Sequence, residues 1–220
     1  MKVIIIGATG LTGSCLVEFL LQDFRIEQVI VVARRSTNIK HQKLIEKIID
    51  FENLNQLSFD ANIAISCLGT TIKNAGSKEK FYQTDFTYNF EFAKVCIKND
   101  LQSFILMSSL GADANSKIFY SATKGQLEKA IMDLNFKHLT ILQPSLLEGN
   151  RKEMRSGEKI ARVMMKIFNP FFVGNLRKYR SIRIEDVARC IQAQLFRTEF
   201  GTKIIVSNLI TEIAKTLYLK

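Results

Sequence analysis

The stretch SSLGADANSKIFYSATKG, residues 108 to 125, carries the side chains best suited to moving a proton. Tyr120 and Lys124 stand four residues apart, so on a helix they share one face. A phenol that titrates near ~10 is a poor acid or base at neutral pH. A cation beside it favours the phenolate and brings it toward the working range. Ser108 and Ser109 end an apolar run just upstream, where a hydroxyl could donate to a carbonyl or alkoxide oxygen. The chemistry these groups suggest is acid–base work at a carbonyl–alcohol centre. Of the five tyrosines only Tyr120 has lysine four residues on, although a YxxxK spacing by itself also suits a plain surface helix pair.

Such groups need a frame. Apolar runs of strand length lie at 2–8, 28–34, 47–50, 61–68, 103–109, 138–144 and 202–207. They are nearly continuous rather than alternating, as in strands buried on both faces of a parallel sheet. Helix-period stretches fall between them at 11–22, 78–99 and 117–134, and later at 185–196. Strand and helix in turn predict an α/β fold, a Rossmann-type doubly wound parallel sheet with helices on both faces. From Glu148 the pattern loosens. A basic helix candidate at 156–167 and the C-terminal segment are expected to form a small cap, with residues 148–183, on the substrate side of a single domain spanning 1–220.

The first strand runs into GATGLTG, with Gly7, Gly10 and Gly13 at three-residue spacing before a helix. In that context Gly7 permits a tight turn, Gly10 lets backbone N–H groups approach a pyrophosphate, and Gly13 lets the helix pack on the strand. The helix beginning at Leu11 points its positive end at the anion. Thr9, Leu11 and Thr12 belong to the same cradle. A dinucleotide is therefore expected there. The second strand ends in Arg34 and Arg35 with no carboxylate, which suits a 2′-phosphate and favours NADP(H), with NAD(H) the alternative. Asp50 and Phe51 either flank the adenine or serve as a cap and packing residue. Cys67, Leu68, Gly69 and Thr70, at the end of the fourth strand, are expected beside the cofactor, as are Pro144 and Ser145 after the sixth. Thr71 is expected toward the substrate. Lys124 could also hold the nicotinamide ribose, and a nicotinamide cation would further lower the Tyr120 pKa.

The 220 residues carry 31 Lys and Arg against 21 Asp and Glu, a net charge of +10. Between Arg151 and Arg183 ten basic residues face only Glu153 and Glu158. Arg151 and Arg155 are placed to wall a cleft for an anionic substrate; a solvated face, or a surface for an acidic protein or anionic membrane, is the competing reading. No segment has the length of a membrane span, and the start lacks the pattern of a signal peptide. The four cysteines show no CxxC pair, and His41 and His138 are isolated, so neither a disulfide frame nor a metal site is expected. No nucleic-acid reading element is evident. A cytoplasmic protein is expected.

The chain resembles a short-chain dehydrogenase/reductase of the atypical or extended branch. GATGLTG is similar to that branch's glycine turn, and SS…YxxxK to its serine–tyrosine–lysine set. It resembles most the NADPH-binding, Tat-interacting-protein-like group, in CLGTT followed by AGS, in SSLGAD, in LQPSLLEGNRKEMRSGE and in the place of Arg34–Arg35. The resemblance implies a Rossmann fold, NADPH at the glycine turn, Tyr120 as proton donor or acceptor, Lys124 as its partner, and Ser109 before Ser108 as the family serine. The chain lacks the extra substrate-binding length of sugar epimerases. The leading expectation is an NADP(H)-dependent oxidoreductase acting on a small carbonyl or alcohol. The alternatives are an NADPH-binding redox-sensing regulator read by a protein partner, and an NAD-dependent sugar-nucleotide epimerase or reductase.

Overall fold

The computed structural model describes residues 1–148 and 178–218. β1 (Lys2–Ile6) leads through the glycine turn into α1 (Leu11–Gln22), followed by β2 (Gln28–Ala33), β3 (Leu44–Ile48) and a 3-10 turn over Phe51–Gln56. β4 (Ile63–Ser66) precedes α2 (Ile72–Ala75) and α3 (Lys78–Tyr82), which passes through a π turn at Gln83–Thr87 into α4 (Tyr88–Lys98). Then come β5 (Ser103–Met107), α5 (Phe119–Met132), β6 (His138–Gln143), and the short strands β7 (Leu147–Glu148) and β8 (Ile182–Arg183). The last described elements are α6 (Ile184–Gln194), β9 (Gly201–Val206) and α7 (Ser207–Tyr218).

Seven strands form one sheet in the order β3-β2-β1-β4-β5-β6-β9, every neighbouring pair parallel. The order steps outward from β1 in both directions, so the crevice between the β1 and β4 ends is the switch point where such sheets bind ligands. Residues alternate along β1. Val3 and Ile5 join α1 and α6 in one core, through Leu16, Leu20, Val187 and Ile191. Ile4 and Ile6 join α4 and α5 in the other, through Phe92, Cys96, Leu127 and Ile131. Burial on both faces explains why the strands read as continuous apolar runs.

Two boundaries differ from expectation. The third strand is LIEKI at 44–48 rather than 47–50, because this edge strand is only partly covered and mixes Leu and Ile with Glu and Lys. Asp50 then serves as the cap of the 3-10 turn, its carboxylate accepting from the Glu52 amide. The 78–99 helix is present but broken in register by the π turn. The helix candidate at 156–167, and the expected cap over 149–177, lie outside the described residues.

Candidate active site

The glycine turn is built against neighbouring backbone. Gly7 has φ +85°, and a Cβ there would overlap the Cys67–Leu68 peptide at the end of β4. A Cβ on Gly13 would overlap Gly7 and Ala8, so α1 starts directly on the strand it follows. At Gly10 the nearest atom to such a Cβ is the Gly7 carbonyl at 3.3 Å, and the residue opens onto a cleft. Gly7 thus gives close contact with β4 as well as the turn itself. The Thr12 hydroxyl lies beside it, buried, with no hydrogen-bond partner among the described residues. An orphaned hydroxyl at an uncapped helix start is the kind of group a pyrophosphate oxygen satisfies, so these residues fit the dinucleotide the sequence leads one to expect.

The cleft has a volume of about 870 Å³ and runs from Gly10–Thr12 across the carboxyl ends of β4, β5 and β6. Cys67, Gly69, Thr70 and Thr71 line it from β4, Ser108 and Ser109 from β5, Tyr120 and Lys124 from α5, and Pro144 and Ser145 from β6. Gly7, Thr9, Gly13, Leu68, Arg34, Arg35, Asp50 and Phe51 do not line it. Arg34 and Arg35 stand exposed at the end of β2, the Arg34 guanidinium 5.3 Å from the centre of the Phe51 ring. Arg151 and Arg155 lie outside the described residues.

The two serines have different fates. Ser108 is buried and donates its hydroxyl to Glu128, whose carboxylate also accepts both 3.0 Å bonds from the Gln143 amide. The Ser109 hydroxyl is buried without a hydrogen-bond partner among the described residues and borders the cleft. Other expected contacts are already engaged in structure. Thr71 caps α2 by accepting from the Asn74 amide. The Ser145 hydroxyl donates to the Arg180 carbonyl and lies 2.8 Å from that of Ser207, tying the end of β6 to α7. Burial pushes the Cys67 thiol up to about 12, leaving a neutral apolar wall there.

Lys124 is buried and lies 2.6 Å from Asp85, a carboxylate with no exposed surface. The other oxygen of Asp85 accepts the Thr70 amide at 2.7 Å. Burial opposes the Lys124 charge, but Asp85 and then Tyr120 outweigh it and hold the ammonium above its usual range. Asp85 reaches the site because the π turn widens the helix there. Asn89 serves the loosened turn by donating to the Thr84 carbonyl at 2.9 Å and accepting the Ser66 hydroxyl. Asp85 and Glu128 belong to no motif. Glu128 does lie one turn beyond Lys124 on the same helix face, which was the one available signal. Gly125 was also missed: a Cβ there would overlap the Asp113–Ala114 backbone, so the loop after Ser109 lies flat on α5.

A parallel sheet in this order, with a glycine turn, a tyrosine and a lysine at one edge of the same crevice, defines a dinucleotide-binding Rossmann protein. The chain belongs to the NAD dependent epimerase/dehydratase family, whose model matches residues 3–205. It is 32% identical over 207 residues to Protein FMP52, mitochondrial, of Candida glabrata, covering 91% of this chain and 88% of that one. It is 31% identical over 167 residues to Protein HTATIP2 of Rattus norvegicus, covering 73% and 69%. Among solved structures it superposes on UDP-glucose 4-epimerase of Thermotoga maritima with TM-score 0.70 and 16% identity, covering 99% and 82%. It also superposes on the oxidoreductase ylbE of Lactococcus lactis with TM-score 0.65 and 17% identity, covering 100% and 98%. The resemblance to an extended short-chain dehydrogenase and to the Tat-interacting-protein-like group is borne out. The cytoplasmic expectation is overturned, because several of the curated relatives are named as mitochondrial proteins. Among the described residues no helix is long and apolar enough to cross a membrane, and no cluster of three metal-ligating side chains occurs.

Proposed function

We propose that this chain is an NADP(H)-dependent oxidoreductase that interconverts a carbonyl compound and an alcohol. The observation that carries the reading is the convergence of Tyr120, Lys124 and the Ser109 hydroxyl, unpartnered among the described residues, on the cleft that begins at the glycine turn. The backbone from Gly7 to Gly13, with the Thr12 hydroxyl, would hold the pyrophosphate. Arg34 and Arg35 would hold a 2′-phosphate, Asp50 and Phe51 would flank the adenine, and Thr70, Tyr120 and Lys124 would hold the ribose on the nicotinamide side. When bound, the cofactor supplies or accepts a hydride.

The chain's own side chains do the rest. Tyr120 gives a proton to the substrate oxygen during reduction and takes it back during oxidation. Ser109 donates a hydrogen bond to that oxygen and so favours the form in which it carries more negative charge. Lys124 keeps a positive charge one helical turn from the Tyr120 hydroxyl, which stabilises the phenolate when the proton has left. The ring of Tyr120 is held by Phe81, with centroids 5.6 Å apart, so the hydroxyl is presented from a fixed direction.

Tyr120→Phe keeps the ring and removes the transferable proton. Turnover of a carbonyl found by screening should fall about a hundredfold or more, with NADPH affinity near normal. Parent-rate turnover by this variant would remove Tyr120 from the role. A second reading, NAD-dependent epimerisation of a nucleotide sugar, is supported by the nucleotide sugars and NAD named with several neighbours of the fold. Tightly held NAD in the purified protein would favour it over the first.

A further inference from the structure

The proposed chemistry uses Lys124 but leaves Asp85 without a task, although the chain goes to some length to bury a carboxylate there. Among the described residues the groups that face the Lys124 ammonium are few. Asp85 approaches from the π turn, Tyr120 and Glu128 lie one turn away on either side along α5, and Gly69 and Thr70 present backbone from the end of β4. A Cβ on Gly69 would lie 3.3 Å from the Asp85 carboxylate and 3.6 Å from the ammonium, so the loop rests directly on the pair. Glu128 is committed to Ser108 and Gln143. Among the described residues Asp85 is therefore the one carboxylate in contact with the ammonium.

We infer that Asp85 is a positioning residue that keeps Lys124 charged in its buried site and fixes it against the Gly69–Thr71 loop. The inference rests on the function proposed above for Lys124, and its physics is separable from that function. A lysine taken out of water loses its proton readily, by as much as 3–5 pH units below its ordinary value when fully buried and unpaired. A neutral Lys124 could neither stabilise a Tyr120 phenolate nor act as a charged anchor in the cleft. The Asp85 carboxylate prevents this. Its second oxygen, held by the Thr70 amide, prevents the ion pair from swinging away from the loop. The fit depends on the π turn, because an unbroken helix would carry the following residues in a different register.

The test reads the lysine directly and needs no substrate. Protein labelled at the lysine ε-carbons is titrated by NMR, with Lys124→Met identifying the resonance. In the parent, Lys124 should stay charged throughout the pH range in which ordinary lysines are charged. In Asp85→Asn its midpoint should fall by at least about two pH units, and Asp85→Glu should recover part of the shift. If Lys124 in Asp85→Asn titrates where it does in the parent, the inference is overturned, whatever Tyr120 does. Should Asp85→Asn fail to fold, the double variant Asp85→Asn/Lys124→Met should fold, because the stranded charge is gone. A double variant that also fails to fold would place Asp85 in a packing role and overturn the inference equally. Loss of the Tyr120→Phe effect on turnover, with the lysine shift intact, would instead count against the oxidoreductase reading alone.

Discussion

Ser108 gives its hydroxyl to the buried Glu128 carboxylate, while the adjacent Ser109 hydroxyl is buried with no hydrogen-bond partner among the described residues. Neighbouring residues of one type are thus divided between support and availability. Ser108→Ala should cost about 1–3 kcal/mol in denaturant melts, since it strips a donor from a buried carboxylate. Ser109→Ala should leave stability within about 0.5 kcal/mol and lower turnover by roughly a hundredfold. The reverse pattern would exchange the two roles.

Arg34 and Arg35 stand at the end of β2 in no ion pair among the described residues, so both guanidinium groups are free to meet a phosphate. NADPH should bind more tightly than NADH by at least ~1–3 kcal/mol, and replacing both arginines with Ala should erase the gap. Calorimetry on the unaltered protein decides this. Equal affinities would remove the preference.

Asp23 closes α1 on the far side of the sheet from this chemistry and is held by Arg25 and by the Gln192 amide of α6. The Arg25 guanidinium, with Gln192 assisting, brings its carboxyl down to about 2 from an ordinary 3.8. A depressed carboxyl contributes stability above its unfolded value and loses it as pH falls toward the folded one. Asp23→Asn should therefore be less stable than the parent by at most on the order of 2 kcal/mol near neutrality. The difference should shrink as pH falls from about 4 toward 2. Thermal melts across that range would show a constant gap if the ion pair contributed nothing.

Much of this architecture is legible in the residues. β1, α1 and the glycine turn follow from an apolar run, three glycines and a helical period, and α1 spans the residues the pattern gives. Tyr120 and Lys124 are legible because the helix period places them together and the serine pair ends the strand beside them. Asp85 and Glu128 are not, because each looks like an ordinary charge on a helix until the sheet brings its partners from 39 or 20 residues away. The π turn hides Asp85 further, since a pattern of 3.6 residues per turn assigns it the wrong direction. The bounds of β3 are not legible either, for the opposite reason: an edge strand needs apolar residues on fewer sides, so its run is short and mixed.

The contact between α1 and α6 joins Asp23 to Gln192 across 169 residues of sequence, and Arg189 lies over the Phe19 ring beside it. A ribosome therefore releases the dinucleotide cradle long before it makes the helix that covers one flank of that cradle's own helix. Until residues 184–194 emerge, Cys15 and Phe19 face solvent or a chaperone. Contacts of such long span are late and slow to form. A nascent chain halted between the end of β6 and residue 184 would carry Tyr120 and Lys124 on a sheet still lacking β9, with α1 waiting for α6 and α7 to complete its helical layer, and quality control would meet it as an unfinished protein.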